Sequence, residues 1–423
     1  MTDAADSPAS RTAPAGAGTR GGSGGRGATP RRTPVRRPPD RKERILDAAA
    51  ELFRDRGYHN VSVADVAGAV GITAPALYRH FRGKPDLLAQ VVDRTVDTIA
   101  AACAAAPDLD TYLATASAQS LERRGAAVLW QREARHLPEE QRERERHELS
   151  AAAASIGKLI GAERPGLPAA DRTLLAWAVL SVFGSLSWHR TSLPRRRFEE
   201  VMLRLAGAAA RCEPGTTGDG GPGRDDAPAA REPGAYAALA LSRREEILAA
   251  ALRLFDERGF QSVSTDDIGE AAGASGPSIY KHFPTKTDLL VAGVARGGEH
   301  RRAGTAAALA EPGTPGETLE RLLRSYVDFA LAHTRLIGLI LAELDQLPEK
   351  ERKAARQAQR EYLALWGRLF AEARPGTDAA EGRIVVSAVL TVVDNAVRTG
   401  RLGARPDLGE RLVEIGLALL RAG

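Results

Sequence analysis

The stretch PALYRHFRGKPDLL, Pro75 to Leu88, returns 202 positions later as PSIYKHFPTKTDLL, Pro277 to Leu290. Around it, Ile45–Val92 lies on Ile247–Val294 without a gap, and 22 of the 48 paired positions are identical. Further on the offset becomes 210 and holds: HLPEEQR (His136–Arg142) meets QLPEKER (Gln346–Arg352), and VLSVF at Val179 meets VLTVV at Val389. Self-similarity over such a length marks a duplicated folding unit of about 170–180 residues. The second copy carries eight extra residues between positions 290 and 347.

Each unit opens with the same helical grammar. Ile45, Ala49, Leu52 and Phe53 share one helical face, and Gly57 supplies a C-terminal stop. Ser62, followed three residues on by Asp65, caps a second short helix with an acid in its first turn. Gly71 breaks that helix, and Thr73 caps a third running through Tyr78, with Pro75 in the first turn where a missing N–H costs nothing. Two short helices joined by a glycine-containing turn form a helix-turn-helix. The small residues Ala74 and Ala76 leave the end of the third helix narrow enough for a major groove.

These residues resemble the N-terminal signature of the TetR-like transcriptional regulators. Phe53, Gly57, Tyr78, His80, Phe81, Lys84 and Leu87 carry it in the first copy; Phe255, Gly259, Tyr280, His282, Phe283, Lys286 and Leu289 carry it in the second. The resemblance covers about 48 residues per half. It implies an all-α fold of two TetR-like units, each a three-helix DNA-binding domain followed by a helical ligand-binding and pairing domain. Carried over by position, Thr73, Ala74, Pro75 and Ala76 face bases in the first copy, with Ser62 and Val63 at the start of the second helix and Tyr78, His80 and Lys84 on the phosphates. In the second copy the corresponding residues are Ser275, Gly276, Pro277 and Ser278, with Ser264 and Thr265, and Tyr280, His282 and Lys286. Phosphate contacts position and base contacts specify. Tyr78 and Tyr280 could instead pack under the fourth helix, and the histidines could cap helices.

The resemblance also places an effector pocket near LWQREARHLPEEQ, with Trp130, Glu133 and Arg135 as candidate lining residues and Glu343 as the matching acid in the second copy. A solvated helix end with a structural tryptophan is the plainer reading of the same residues. Family members pair through their last two long helices, here Asp171–Trp188 with Arg197–Arg211, and Glu381–Arg398 with Asp407–Arg421. In a symmetric homodimer each residue near the axis meets its own kind. Trp177 matches Ser387, Trp188 matches Arg398 and Gly184 matches Asp394, so the copies have diverged as they would if paired with each other inside one chain; plain drift in two copies that each pair with a second chain is the alternative.

The formal net charge of +5 resides in residues 1–39, which hold seven arginines and two acids; the rest is balanced, 52 against 52. That leader is rich in Gly, Pro and Ala and reads as a disordered basic arm. A second such stretch, 213–240, reads as a linker. The expected domains are therefore helix-turn-helix domain one at 40–88, regulatory domain one at 89–212, helix-turn-helix domain two at 241–290 and regulatory domain two at 291–423. Residues 40–88 hold eight basic and seven acidic side chains against six and eight in 242–290, so the second reader has the weaker electrostatic grip on DNA. Cys103 and Cys212 form no CxxC pattern, which speaks against a disulfide scaffold or zinc site. The apolar run Leu174–Trp188 is short for a membrane span and reads as a buried helix. No GxGxxG, HExxH or GxSxG motif suggests an enzyme, and no cofactor is expected. The expected protein is cytoplasmic and nucleoid-associated, binds a double-stranded DNA operator and answers to a small-molecule effector. An effector-independent DNA-binding protein is the alternative.

Overall fold

The computed structural model describes residues 41–122, 129, 133, 137–213, 215, 242–274 and 276–423. The basic arm, most of the linker, Trp130, Arg135 and Ser275 lie outside the described residues. The described residues all lie in one compact unit, 41–423. Every regular element among the described residues is helical.

The first half runs α1 (Arg41–Arg56), α2 (Val63–Ala69), α3 (Ala74–Leu77), α4 (Lys84–Ala105), α5 (Leu109–Glu122), α6 (Glu139–Glu163), α7 (Ala169–Gly184) and α8 (Arg195–Ala210). The second half runs α9 (Arg243–Arg258), α10 (Thr265–Ala272), α11 (Gly276–His282), α12 (Lys286–Ala310), α13 (Pro315–Ala332), α14 (Thr334–Glu343), α15 (Glu349–Ala373), α16 (Ala379–Arg398), α17 (Gly400–Gly403) and α18 (Leu408–Ala422). The eight extra residues fall at one corner. Helix α12 is three residues longer than α4, its connection is one longer, and α13 starts four positions ahead of the residue matching Leu109.

Three separate cores organise these helices. Ile45, Ala49, Phe53, Val66, Leu77, Phe81, Leu87 and Leu88 close around one another beneath the first helix-turn-helix. Ile247, Ala251, Phe255, Ile268, Ile279, Phe283, Leu289 and Leu290 do the same in the second. Each takes residues from its own regulatory part, Leu129 and Leu137 in the first and Leu336, Leu339 and Leu347 in the second. The third core is shared by both halves: Leu174, Val179, Val182, Phe198, Met202 and Leu205 belong to the same buried cluster as Ile384, Val389, Val393, Leu412, Ile415 and Leu419. The apolar run of α7 is thus covered by protein, with 61% of its most apolar window buried.

At the seam α7 packs on α16 and α8 on α18. Polar contacts repeat across it in near-symmetric fashion. Arg405 donates to Asp171 at 2.8 Å, and Arg197 donates to Glu381, the residue matching Asp171, at 2.7 Å. Arg204 adds a second contact to Glu381, and the Asn395 amide donates to Ser181 Oγ at 3.1 Å. Acid from one half thus meets arginine from the other twice, through matching acids but arginines at non-matching positions, Arg405 corresponding to Arg195. Trp177 packs against the shared core and also lines a cavity, and Trp188 packs on the core of the first helix-turn-helix.

Candidate nucleic-acid interface and cavity

Short helices need their ends satisfied, and the two readers are capped in the same way. Ser62 Oγ accepts from Asp65 N at 3.1 Å while Asp65 accepts from Ser62 N at 2.7 Å, and Ser264 with Asp267 repeats this reciprocal box at 3.1 and 2.7 Å. Gly57 and Gly259 turn out of the first helices at φ 80° and 81°, a region in which other residues are strained. Thr73 is the N-cap residue of α3 by position, but its side chain makes no capping bond, which leaves the hydroxyl unengaged by the helix end.

Thr73, Pro75, Tyr78 and His80 are exposed, and Ala74 and Ala76 are half-buried, while Leu77 between them anchors the helix in the core. Ser62 is exposed and Val63 half-buried at the start of α2; Ser264 and Thr265 match them. In the second reader Ser278 and His282 are half-buried, and Gly276 and Pro277 fall in the first turn of α11. Tyr78 and Tyr280 are 55% and 52% exposed, which removes packing under the fourth helix as their role. The Tyr280 hydroxyl lies 3.2 Å from Thr265 Oγ1, tying the recognition helix to the start of α10.

The two lysines are arranged differently from the expectation of a free phosphate anchor. Lys286 Nζ donates to the carbonyls of Phe260 and Val263 at 2.9 and 2.8 Å and sits 4.4 Å from the Phe260 ring centroid. Lys84 Nζ is 4.3 Å from the Tyr58 ring centroid and 3.4 Å from the His59 carbonyl. Both ammonium groups therefore point at the loop joining the first two helices of their reader, and burial lowers both pKa values from the usual lysine range. Replacing Lys286 by alanine is expected to lower stability to denaturant by about 1.5–3 kcal/mol, the range for a hydrogen bond to a charged group, and to leave the salt slope of DNA binding unchanged. A slope reduced by about one with stability intact would put the ammonium on a phosphate instead.

Glu133 and Glu343 also differ from expectation. Both are buried, and neither lines the large cavity described below. Glu343 accepts from Phe260 N at 2.8 Å, holding the same loop that Lys286 holds from its carbonyl side. Glu133 raises the pKa of Tyr58, after burial, and opposes the lowering of Lys84. The two acids line a cleft of about 20 Å³ together with Tyr58, Phe260 and Gln261, where the reader loops of the two halves face each other. A buried backbone N–H needs an acceptor, and the Glu343 carboxylate supplies it for Phe260.

The space for a small molecule lies elsewhere, in a cavity of about 560 Å³ walled by α4, α5, α6 and α7 of the first half. Asp256 and Glu257 of α9 and Asn395, Arg398 and Thr399 near the end of α16 complete the wall from the second half. Apolar side chains dominate its interior, and Arg142 and Arg146 stand on one side. Pockets of this size suit a drug-sized ligand. Among the described residues no group of three or more His, Cys, Asp or Glu is placed to hold a metal. Sequence reasoning missed this site because its lining spans Val92 to Thr399; the signal that could have revealed it is the set of positions where small residues in one copy face large ones in the other.

Comparison with known proteins agrees with the geometry of the readers. The family described as "Bacterial regulatory proteins, tetR family" matches residues 45–91 and again 247–292, and the "Tetracyclin repressor-like, C-terminal domain" matches 312–398. The transcriptional activator FasR of Mycolicibacterium smegmatis is 40% identical over 60 residues, 14% of this chain and 27% of FasR. The transcriptional repressor KstR2 of the same organism is 29% identical over 145 residues, 31% of this chain and 71% of KstR2. The match to FasR thus spans about a quarter of that protein's length. Among solved structures, the ketosteroid regulator KstR2 of Mycobacterium tuberculosis aligns with TM-score 0.39 and 21% identity over 42% of this chain and 93% of that one. AibR, solved with isovaleryl coenzyme A and operator DNA, aligns with TM-score 0.36 and 19% identity over 41% of this chain and 94% of that one. Two tetR-type DNA-binding regions and a tetracycline-repressor-like C-terminal domain thus lie on one polypeptide, which matches the TetR family of bacterial transcriptional regulators broadly.

Proposed function

We propose that the protein is a ligand-responsive repressor that holds its operator with both readers of a single chain, its two halves pairing with each other in place of a homodimer. The observation that carries ligand control is the cavity on α4. That helix begins at Lys84 within the first reader, buries Leu87 and Leu88 in the reader's core, and ten residues later supplies Val96, Ile99 and Ala102 to the cavity wall. A rigid rod shared by reader and cavity converts a change of packing around a ligand into a change of reader position. Repression is favoured over activation because the KstR2 match reaches beyond the reader into the regulatory part, whereas the FasR match is confined to 60 residues.

The recognition residues are Thr73, Ala74, Pro75 and Ala76 on bases, with Tyr78 and His80 on the backbone; Ser275, Gly276, Pro277, Ser278, Tyr280 and His282 act likewise in the second reader. Ser62, Val63, Ser264 and Thr265 face the phosphates at the ends of the second helices. Because the two base-facing sets differ at three of four positions, the operator is an imperfect palindrome with half-sites about 34–36 Å apart. The regulatory and pairing parts are 89–212 and 291–423, and the 213–240 linker leads from the first of them into the second helix-turn-helix domain at 241–290. Pairing in cis is supported by the twice-repeated acid–arginine contacts and by the buried cluster common to both halves.

Selection of bound fragments from a genomic DNA pool, followed by light scattering of the free and bound protein, tests this. The expected result is one two-half-site operator per chain and a mass near 44.9 kDa. A stable species of twice that mass with four readers, or a perfect palindrome as the sole bound site, would falsify pairing in cis.

A further inference from the structure

We infer that the chain has a single effector site, in which the cavity of the first half takes one amphipathic anion with its charged group at Arg142 and Arg146, while the matching space of the second half is filled by that half's own side chains. The inference rests on the reading of the chain as an effector-controlled regulator and adds copy number, charge and placement to it.

The charge preference comes from two arginines that have one acid partner between them among the described residues, Glu139 on Arg142. Arg142 and Arg146 stand four residues apart on α6, so their like charges repel along one helix face. Arg142 contacts Glu139 through one Nη, but its buried Nε has no hydrogen-bond partner among the described residues. Burial, and then the charge on Arg146, hold the Arg142 pKa below the usual guanidinium value. The acids of the cavity wall are engaged elsewhere. Asp256 lies 3.7 Å from Arg398, and Glu257 lies 3.4 Å from Arg253.

The second copy shows what a neutralised version looks like. Arg352 and Arg356 match Arg142 and Arg146, and both turn to Asp345: Arg352 reaches its carbonyl at 3.4 Å and Arg356 its carboxylate at 2.5 Å. At the position matching Asp345 the first copy has Arg135, so the sequence there adds a cation where the other half has an acid. A guanidinium pair at the side of an apolar chamber is a receptor for a carboxylate or similar oxyanion. Val96, Ile99, Tyr112, Leu149, Trp177 and Phe183 supply the apolar body of that chamber.

Copy number follows from the walls. Ala116 and Gly184 of the cavity wall become Tyr326 and Asp394 in the second half, and on α6 Ala152 and Ile156, which do not line the cavity, become Tyr362 and the fully buried Trp366. These replacements knit together. The Tyr326 hydroxyl donates to Asp394 Oδ1 at 2.7 Å, the Tyr326 and Tyr362 rings stand 6.0 Å apart, Tyr362 meets Trp366 at 6.2 Å, and the Arg301 guanidinium lies 4.6 Å from the Tyr362 centroid. Arg301 itself replaces the cavity-lining Ile99. The duplication has thus produced one receptor and one plugged copy. Since α9 and α16 wall the open cavity, a molecule held there touches the second reader's first helix as well as the first reader's α4.

Dodecanoate and dodecyltrimethylammonium, each below its micelle-forming concentration, serve as charge-reversed probes on the full-length chain, with binding followed by calorimetry and operator affinity by fluorescence anisotropy. Dodecanoate is expected to bind at one molecule per chain and the cation at least tenfold more weakly, with R142Q/R146Q weakening dodecanoate at least tenfold. Ala116→Tyr, which copies the plug of the second half, is expected to remove binding while the thermal melt stays cooperative; should it fail to fold, the arginine pair alone decides. Two molecules per chain, equal binding of the cation, binding indifferent to both arginines, or no dodecanoate bound at about 1 mM, equivalent to a binding free energy weaker than about −4.1 kcal/mol, would each overturn the inference. Dodecanoate bound once per chain without any change in operator affinity would uphold this site and remove the effector-controlled reading instead.

Discussion

Ala76→Asp is expected to weaken operator binding by about 10²–10⁴-fold although the second reader is untouched, and Ser278→Asp is expected to do nearly the same. Each residue lies on its recognition helix, half-buried beside the anchoring Leu77 or Ile279, where an acid meets the electron-rich edge of the groove and the phosphates beyond it. With both readers in one compact body, the second contact forms at high effective concentration once the first has formed. Losing one reader therefore forfeits the whole intramolecular gain, and the double variant should be much less than multiplicatively worse. The first-reader variant should be the more damaging, because residues 40–88 carry eight basic and seven acidic side chains against six and eight in 242–290. Anisotropy titrations at fixed salt measure the effect. A loss of only a few-fold would mean that an intact reader from another chain takes the place of the damaged one, as in an assembly of two chains with four readers.

The readers were legible because their determinants are local. The Ser62–Asp65 spacing names a capping box, Gly57 names a helix stop, and the helical spacing of Ile45, Ala49 and Phe53 names a buried face; all can be read within some twenty residues. What Lys84 and Lys286 touch within the chain was not legible. A lysine near the start of a helix has the right charge for a phosphate, and only the folded chain shows that the loop carbonyls of His59, Phe260 and Val263 lie within its reach. Glu133 and Glu343 were singled out as a matched pair; sequence does not display that both are buried, or that Glu343 accepts from the backbone N–H of Phe260. Divergence between copies flags Trp177 and Gly184 as positions under asymmetric demand, and both line the cavity. Helical periodicity tells which face of α7 is apolar; it cannot tell whether that face meets another helix or an open space.

Asp394→Asn is expected to make the protein more stable above neutral pH and to flatten its acid-side stability profile. Asp394 is buried in the plugged half, and burial raises its pKa to about 7 against the opposing pull of the Tyr326 hydroxyl, Arg398 and Arg301. In the unfolded chain an aspartate titrates near 3.9. A carboxyl whose folded pKa is raised contributes its full stability below the unfolded value and loses it as pH rises through the folded one. The wild-type protein should therefore lose roughly 2–4 kcal/mol through this group between about pH 4 and pH 7, and hold constant with respect to it above that. Asparagine keeps an oxygen to accept the Tyr326 hydroxyl and carries no charge to bury, so the gap between variant and wild type should open across that window. Glu145, whose pKa burial and Asp93 push up to about 9, tilts the absolute profile in the same direction. It is present in both proteins and cancels from their difference. Denaturant midpoints at pH 4.5, 6 and 8 read the effect, and a difference between the two proteins that does not grow with pH would show that Asp394 is already ionised where it sits, held so by Arg301 and Arg398, and that the plug of the second half is an ion cluster in place of a neutral hydrogen-bonded one.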